Sequence, residues 1–581
     1  MPAETPTGAP SETPIGMPAE TPIGIPGETP TGAPAEVHTL GSYVARFLEA
    51  GLLGDSSDFE GAQSEQQLGV PVLGITYDSR EVKRDWLFVC KGEHYEARFL
   101  HDALEQGACA FVFETGFLTP DTISGALDSH AALPIEVKDL RAALTIIANQ
   151  FHDEVWKRIT TVGITGTKGK STTTYYVKSI LDTWASAEGR PPTGVLSSID
   201  TFDGVESYES HLTTPEIFEL YQHFSNAVNS GISHFVMEVS SQGLKYGRVA
   251  GVNFDVGCFL NFGEDHISSI EHVDVEDYLA SKLLLFSQCK KAVINTETAE
   301  YNRVLGAARA ALLEESIVQI DAGVHAKADA KTDARAEAKA DAKADDKLSL
   351  CVTSVESIRE PGLDGLRFTV SDKHSTQTFT LGMTGLFNIE NALAAIAIAR
   401  TLGVPEQHIS TGLFDARVPG RMEILHAPNG AVILIDYAHN WMSFERLFAS
   451  VESEYPNTRR TVLFGCPGYK ALGRRRELGT LSGRFCEMTY LTEEDPGEEP
   501  VLQICEEIAA FVDAEGGAYT IIADRELAIH TALRDALSDE SGNTVVMLTG
   551  KGRETRQKRG QEYVPVISDL EIVERYLSNL S

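Results

Sequence analysis

The sequence is short of positive charge. Lys and Arg total 49 against 84 Asp and Glu, a formal net charge of −35 over 581 residues. Such an acidic surface repels a phosphate backbone, which argues against nucleic acid as a partner; a local basic pocket for a small anion remains open. Long hydrophobic runs are missing too, and nothing approaches the ~18 apolar residues of a membrane span. The N-terminus has neither the basic stretch nor the apolar core of a secretion signal. Cysteine is sparse, with 8 residues, at positions 90, 109, 258, 289, 351, 466, 486 and 505, and no CxxC pair. Scattered thiols point to a reducing compartment, so the expected location is cytoplasmic.

At ~150 residues per domain the length suggests roughly three or four domains. Residues 1–36 repeat a Pro-rich octet (MPAETPTG, APSETPIG, MPAETPIG, IPGETPTG). Proline every four residues removes backbone donors and leaves nothing for a core, so a disordered tail is expected, with a docking arm as the alternative. A second biased stretch falls in 322–347, where AKADAKTDARAEAKADAKADDK alternates basic and acidic residues. Its four-residue period puts each sign on its own helical stripe, which suits a solvated insertion in a loop. The remaining segments, 37–157, 158–418 and 419–581, alternate short apolar strands (ACAFVFE, TTVGIT, HFVMEV, AVILIDY, TVVMLTG) with helical stretches. This alternation predicts α/β domains built on parallel sheets, with ligand crevices at the carboxyl ends of the strands.

The strongest chemical signal is TTVGITGTKGKST. An apolar strand ends at Thr165, the turn Gly166-Thr167-Lys168-Gly169 follows, and Lys170-Ser171-Thr172 opens a helix. Phosphates need close backbone approach, converging N–H groups and a cation, and this pattern supplies all three. Lys170 would meet the β/γ-phosphates of ATP, and Ser171 would hold Mg²⁺. The strict phosphate-loop pattern wants glycine where Ile164 stands, so the loop is a variant.

That loop is one of a series: Thr76–Arg80 (TYDSR), TTPE, MEVSSQGL, DH at 265–266, ASKLLLF, GLFNIENALAA, GRME, DYAHN, LFGCPG, EDPG and GKGRE. In this order the motifs resemble the Mur ligase family, and most of all its tripeptide-synthetase branch. The resemblance implies a three-domain α/β architecture with a central P-loop ATPase domain and a C-terminal Rossmann-like domain. It implies ATP-driven ligation of an amino acid to UDP-N-acetylmuramoyl-L-alanyl-D-glutamate through an acyl phosphate. By the same resemblance Lys170, Glu238, His266 and Lys282 are catalytic. Glu238, His266, Ser171 and a carbamylated Lys282 hold Mg²⁺. Gly166 to Thr172, Asn388 and Asn391 on an amphipathic helix, Arg421, Asp436 and His439 bind ATP. Ser79, Thr213, Thr214, Ser240 and Arg248 contact the nucleotide-sugar-peptide, although Tyr246 stands where the family often has glutamine.

Relatives that add meso-diaminopimelate carry D-N-P-R, whose arginine clamps the distal carboxylate. Here the stretch is Glu494-Asp495-Pro496-Gly497, set in TEEDPGEE. An acidic field suits a distal ammonium, so the added residue is expected to be L-lysine, with L-ornithine or meso-diaminopimelate as alternatives. Asp495 and Glu554 are the candidate contacts, and Arg553, Arg556, Lys558 or Arg559 could serve the α-carboxylate. The protein is expected to be a monomer. A folylpolyglutamate-synthetase-like ligase, which would not need 37–157, and a non-catalytic nucleotide-sugar binder are the competing readings.

Overall fold

The computed structural model describes residues 37–54, 62–92, 95–128, 130–210, 212–263, 272–323, 348–360 and 363–580. The Pro-rich repeat, most of the 322–347 insertion and His266 lie outside them. Three main sheets follow one another along the chain. In the first, Gly74–Thr76, Trp86–Val89, Ala110–Glu114 and Leu133–Val137 pair in sequence order, all parallel.

The second sheet has eleven strands. From one edge they run Thr376–Leu381, Leu363–Ser371, Leu348–Glu360, Ile317–Asp321, Ala292–Asn295, Val256–Phe259, Thr160–Thr165, His234–Glu238, Gly194–Leu196, Asp200–Phe202 and Ser207–Glu209. Thr160–Thr165 lies between His234–Glu238 and Val256–Phe259, parallel to both. Its carboxyl end is therefore flanked by two further strand ends, the position where α/β sheets open a crevice. The expectation of parallel sheets holds at this centre, but both flanks are antiparallel. Those flanks are hairpins, which close with short connections and need no crossover helix.

The third sheet runs Glu423–His426, Val432–Asp436, Thr544–Thr549, Arg459–Phe464, Met488–Leu491 and Tyr519–Ile521, and only its first pair is antiparallel. Val432–Asp436 and Thr544–Thr549 are buried at every position. Helices on both faces of a parallel sheet impose this, and it explains why those strands read as unbroken apolar runs.

Two helices decide the shape beneath the phosphate loop. Lys170–Ala187 packs so tightly against Glu406–Asp415 that a Cβ on Gly412 would collide with the Ile180 backbone. Asn388–Thr401 was expected to be amphipathic. It is instead buried on nearly every side, with all but its last two residues out of solvent. Its alanines (Ala392, Ala394, Ala395, Ala397, Ala399) let neighbouring elements close around the whole circumference, as a helix without a polar face requires.

A buried ion pair ties the last helix, Asp569–Ser578, to the third sheet. Arg525 donates to Asp569 at 2.6 and 2.8 Å and to the Thr549 carbonyl at 2.8 Å, with both side chains under 10% exposed. Arg525→Met would leave Asp569 buried without its cation. Urea unfolding is expected to show a loss of about 3–5 kcal/mol, and a change under 1 kcal/mol would show that water replaces the guanidinium.

Candidate active site

The phosphate loop is held from both sides. Gly169 adopts φ +85°, and a Cβ there would collide with Asn391 Oδ1, so both conformation and space require glycine. Asn261, after strand Val256–Phe259, accepts from Lys168 N at 2.8 Å and donates to Lys168 O at 3.0 Å. Thr167 Oγ1 lies 3.2 Å from Tyr278 OH and accepts from Gly263 N at 3.1 Å.

Two ammonium groups converge on the loop. Lys170 Nζ donates to the carbonyls of Gly166 at 3.1 Å and Thr167 at 3.3 Å. Lys282 Nζ, 1% exposed as a residue, reaches the same Gly166 carbonyl at 2.9 Å. Next to them Glu238 ends its strand almost fully buried, and its Oε1 accepts from Ser198 N at 2.7 Å. Ser198 Oγ is 3.0 Å from Ser171 Oγ. The strand ends thus gather Ser171, Ser198 and Glu238, all hard oxygen donors of the kind Mg²⁺ prefers. Ser198 and Asn261 carried no sequence signal, because each follows a strand end far away in the chain.

Thr214 Oγ1 donates to the Glu238 carbonyl at 3.1 Å and accepts from Ser240 N at 3.0 Å, while Arg248 Nη1 donates to the Thr214 carbonyl at 3.2 Å. Ser240 also caps the short helix Ser241–Lys245 by accepting from Gly243 N at 3.0 Å. Thr214, Ser240 and Arg248 therefore form one cluster, and Thr213 is the half-buried neighbour of Thr214. Ser79 is buried at the turn after Gly74–Thr76 in the first sheet.

The two asparagines are buried supports. Asn391 Nδ2 donates to Asn388 Oδ1 at 3.2 Å, Asn391 Oδ1 accepts from Thr173 at 3.4 Å, and Asn388 Nδ2 donates to the Thr384 carbonyl at 2.6 Å. Asp436 uses one oxygen on its own loop, accepting from Ala438 N at 2.7 Å, and the other on the segment before Glu423–His426, accepting from Met422 N at 2.9 Å. Burial holds its carboxyl above the ordinary range. Arg421 lies over the Tyr437 ring, 4.3 Å from the centroid. His439 is pushed down to about 3 by burial, then by Arg474 and Lys168. It is a neutral imidazole at physiological pH, and its ring nitrogen Nδ1 lies 2.8 Å from the Tyr437 carbonyl.

At the far end Asp495 Oδ1 accepts from Lys551 Nζ at 3.0 Å and Lys558 N at 2.8 Å. Glu554 accepts from Tyr437 OH at 2.8 Å and pairs with Lys551 at 2.5 Å. Burial works against the Lys551 charge, but Glu554 and Asp495 outweigh it and hold the ammonium above its ordinary range. Three of the four cations left open by the sequence have carboxylate partners: Arg553 with Glu423, Arg556 with Glu209 and Arg559 with Glu493. Glu494, quoted in the acidic motif but not singled out, is buried against Gly550, where a Cβ would collide with its Oε2. Oε2 has no hydrogen-bond partner among the described residues, and burial pushes the carboxyl up to about 7.

The family described as Mur ligase middle domain matches residues 164–399, and the Mur ligase glutamate ligase domain matches 420–552. A UDP-N-acetylmuramoyl-L-alanyl-D-glutamate--L-lysine ligase of Enterococcus faecalis is 34% identical over 511 residues, 87% of this chain and 92% of that protein. The chain belongs to the Mur ligase family. It is accordingly an ATP-dependent ligase that forms amide bonds. A UDP-N-acetylmuramyl-tripeptide synthetase of Lacticaseibacillus paracasei is 32% identical over 516 residues, 88% of this chain and 94% of that one. The fold matches a solved UDP-N-acetylmuramoyl-L-alanyl-D-glutamate--2,6-diaminopimelate ligase with a TM-score of 0.61 at 19% identity, covering 94% of this chain and 99% of that one. Among the described residues no helix of this Mur ligase is long and apolar enough to cross a membrane.

Two outcomes follow from this geometry. Gly169→Ala forces a left-handed alanine onto Asn391, so a thermal melt should show a loss of about 1–3 kcal/mol together with loss of ATP turnover. The Glu494 carboxyl titrates near 7 folded against an ordinary 4.5. Its contribution is fully present below the lower value and lost as pH rises through the upper one. The melting temperature of the parent, measured relative to Glu494→Gln, should therefore fall between about pH 5 and about pH 8. A flat difference would show that Glu494 is solvated.

Proposed function

We propose that the protein joins L-lysine to the D-glutamate of UDP-N-acetylmuramoyl-L-alanyl-D-glutamate, at the cost of ATP, in peptidoglycan precursor synthesis. In this reading 37–157 binds the uridine nucleotide, 158–418 binds ATP, and 419–581 delivers the amino acid. The observation that carries the choice of lysine is Glu494, a buried carboxyl beside Asp495 with one oxygen unpartnered among the described residues, in a motif that has Gly497 where diaminopimelate-adding relatives have an arginine. A distal ammonium would supply the missing partner, whereas a distal carboxylate would face repulsion. The names of the relatives from Enterococcus faecalis and Streptococcus mutans support lysine.

The chemical difficulty is that a substrate carboxylate must attack an anionic γ-phosphate. Lys170 neutralises the phosphates while the backbone from Gly166 to Thr172 cradles them. Ser171 and Glu238 would hold Mg²⁺, joined by His266 and by Lys282 once carbamylation has replaced its cation with anionic oxygens. Bound there, Mg²⁺ would supply positive charge between the two reacting anions. The carboxylate oxygen attacks the γ-phosphorus and ADP departs. The α-amine of lysine then attacks the acyl carbon, releasing phosphate and forming the amide. Glu554 and Asp495 hold the incoming amino acid, and Arg421 and His439 meet the nucleotide from the third sheet.

The direct test supplies ATP, Mg²⁺, the nucleotide dipeptide and one of lysine, ornithine or diaminopimelate, and reads ADP and the tripeptide product. Lysine should give robust turnover, and turnover of diaminopimelate alone would overturn the choice. Glu238→Gln is expected to lower kcat by about 10²–10³-fold. Glu494→Gln should raise KM for lysine by about tenfold, the loss of one charge-assisted hydrogen bond. Equal KM values for lysine in both forms would remove Glu494 from the pocket.

A further inference from the structure

Glu216 ends the TTPE run, immediately before helix Ile217–Asn229, and two cations from different sheets share its carboxylate. Arg248 Nε lies 2.8 Å from Oε1, and Lys91 Nζ lies 2.7 Å from Oε2. Lys91 leaves the strand Trp86–Val89 of the first sheet, whereas Glu216 and Arg248 belong to the second. The Lys91 ammonium also lies over the Tyr77 ring, 4.1 Å from its centroid, and Tyr77 stacks on Phe218 at 5.4 Å. Tyr77 is two residues from Ser79, and Glu216 is two residues from Thr214. The junction thus links the turn and the threonine cluster assigned above to the nucleotide-sugar-peptide.

Two cations meet on one carboxylate at this junction, with Glu81 and Glu219 also near Tyr77, in a chain whose formal charge is −35. The three side chains are 18%, 26% and 29% exposed, so water and a ligand can reach them. As a structural tie, a pair that water still reaches contributes less than a fully buried one. The buried pairs Arg525–Asp569 and Arg475–Glu499 are built for that task. A shared carboxylate that aligns two partly exposed cations leaves both within reach of a ligand anion.

We propose that Lys91 is a further binding residue for the negatively charged part of the nucleotide-sugar-peptide, and that Glu216 is the positioning residue that aligns Lys91 with Arg248. The inference rests on the proposed substrate. The ligand anion would complete a network of two cations and two anions across the two sheets, so that substrate binding and the seating of the first sheet reinforce one another.

The test uses the full chain with Lys91→Met, Lys91→Arg, Glu216→Gln and the double variant Lys91→Met/Glu216→Gln. Binding of UDP-N-acetylmuramoyl-L-alanyl-D-glutamate is read by calorimetry without ATP, and KM is read for all three substrates. Lys91→Met and Glu216→Gln should each weaken the nucleotide-sugar-peptide by about tenfold, the size of one charge-assisted contact. KM for ATP and for lysine should change by less than about twofold, and Lys91→Arg should restore most of the loss. The double variant should lose little more than either single variant, because the two residues act as one unit. Unchanged binding with a lowered melting temperature would overturn the proposal and leave a tie between sheets. Equal rises in all three KM values would overturn it as well. A parent protein that fails to ligate would overturn the proposed function instead, and calorimetry with the nucleotide-sugar-peptide alone would still decide the role of Lys91.

Discussion

The Gly166 carbonyl receives both Lys170 and Lys282, and much of the central site follows from gathering positive charge at that point. Two ammonium groups on one oxygen repel each other, so the arrangement depends on its surroundings. Asn261 clamps the loop backbone, Tyr278 offers its ring face to Lys282 at 4.6 Å, and the negative Glu238 lies at the end of the adjacent strand. Two ammonium groups on one oxygen are unfavourable alone, and the arrival of a polyphosphate at Lys170 and the proposed carbamylation of Lys282 each relieve that repulsion. The stability of the loop is thereby linked to nucleotide occupancy.

The third sheet solves the converse problem. Glu493, Glu494 and Asp495 bring three carboxylates to one strand end, and the protein treats each differently. Glu493 has Arg559, Asp495 has Lys551, and Glu494 is buried until its proton is held to about 7. Neighbouring acids in three environments can share a small volume without three full charges. Only the unpaired one keeps an oxygen available. Tyr437 then connects the two ends, because its hydroxyl donates to Glu554 while its ring carries Arg421.

Polar contacts bridge the sheets at their edges. Glu209, on the outermost strand of the second sheet, accepts from Thr555 at 3.2 Å and lies 3.6 Å from Arg556 of the third. Lys91 and Glu216 join the first sheet to the second. Buried apolar clusters also cross both junctions, one shared by the first and second sheets and one by the second and third, and they hold around the site walls that exclude water from an acyl phosphate.

The strand–turn–helix around Gly166–Thr172, the alternation of strands and helices and the run of acids at 493–495 were all legible in the residues, because each is local. Glycine at 169 and the GKST run imply a phosphate cradle wherever they follow a strand, and the apolar runs of the third sheet are long enough to declare themselves. The sequence could not disclose that Asn388 and Asn391 lie in a helix buried all round, since alanine-rich periodicity does not say how many neighbours close in. Nor could it show Ser198 beside Glu238, Asn261 clamping Lys168, or Lys91 reaching Glu216 across 125 residues. Those partners meet only because parallel strands distant in sequence end side by side. The upward shift of the Glu494 carboxyl was likewise decided by packing, since desolvation depends on what surrounds a group and not on the letters next to it.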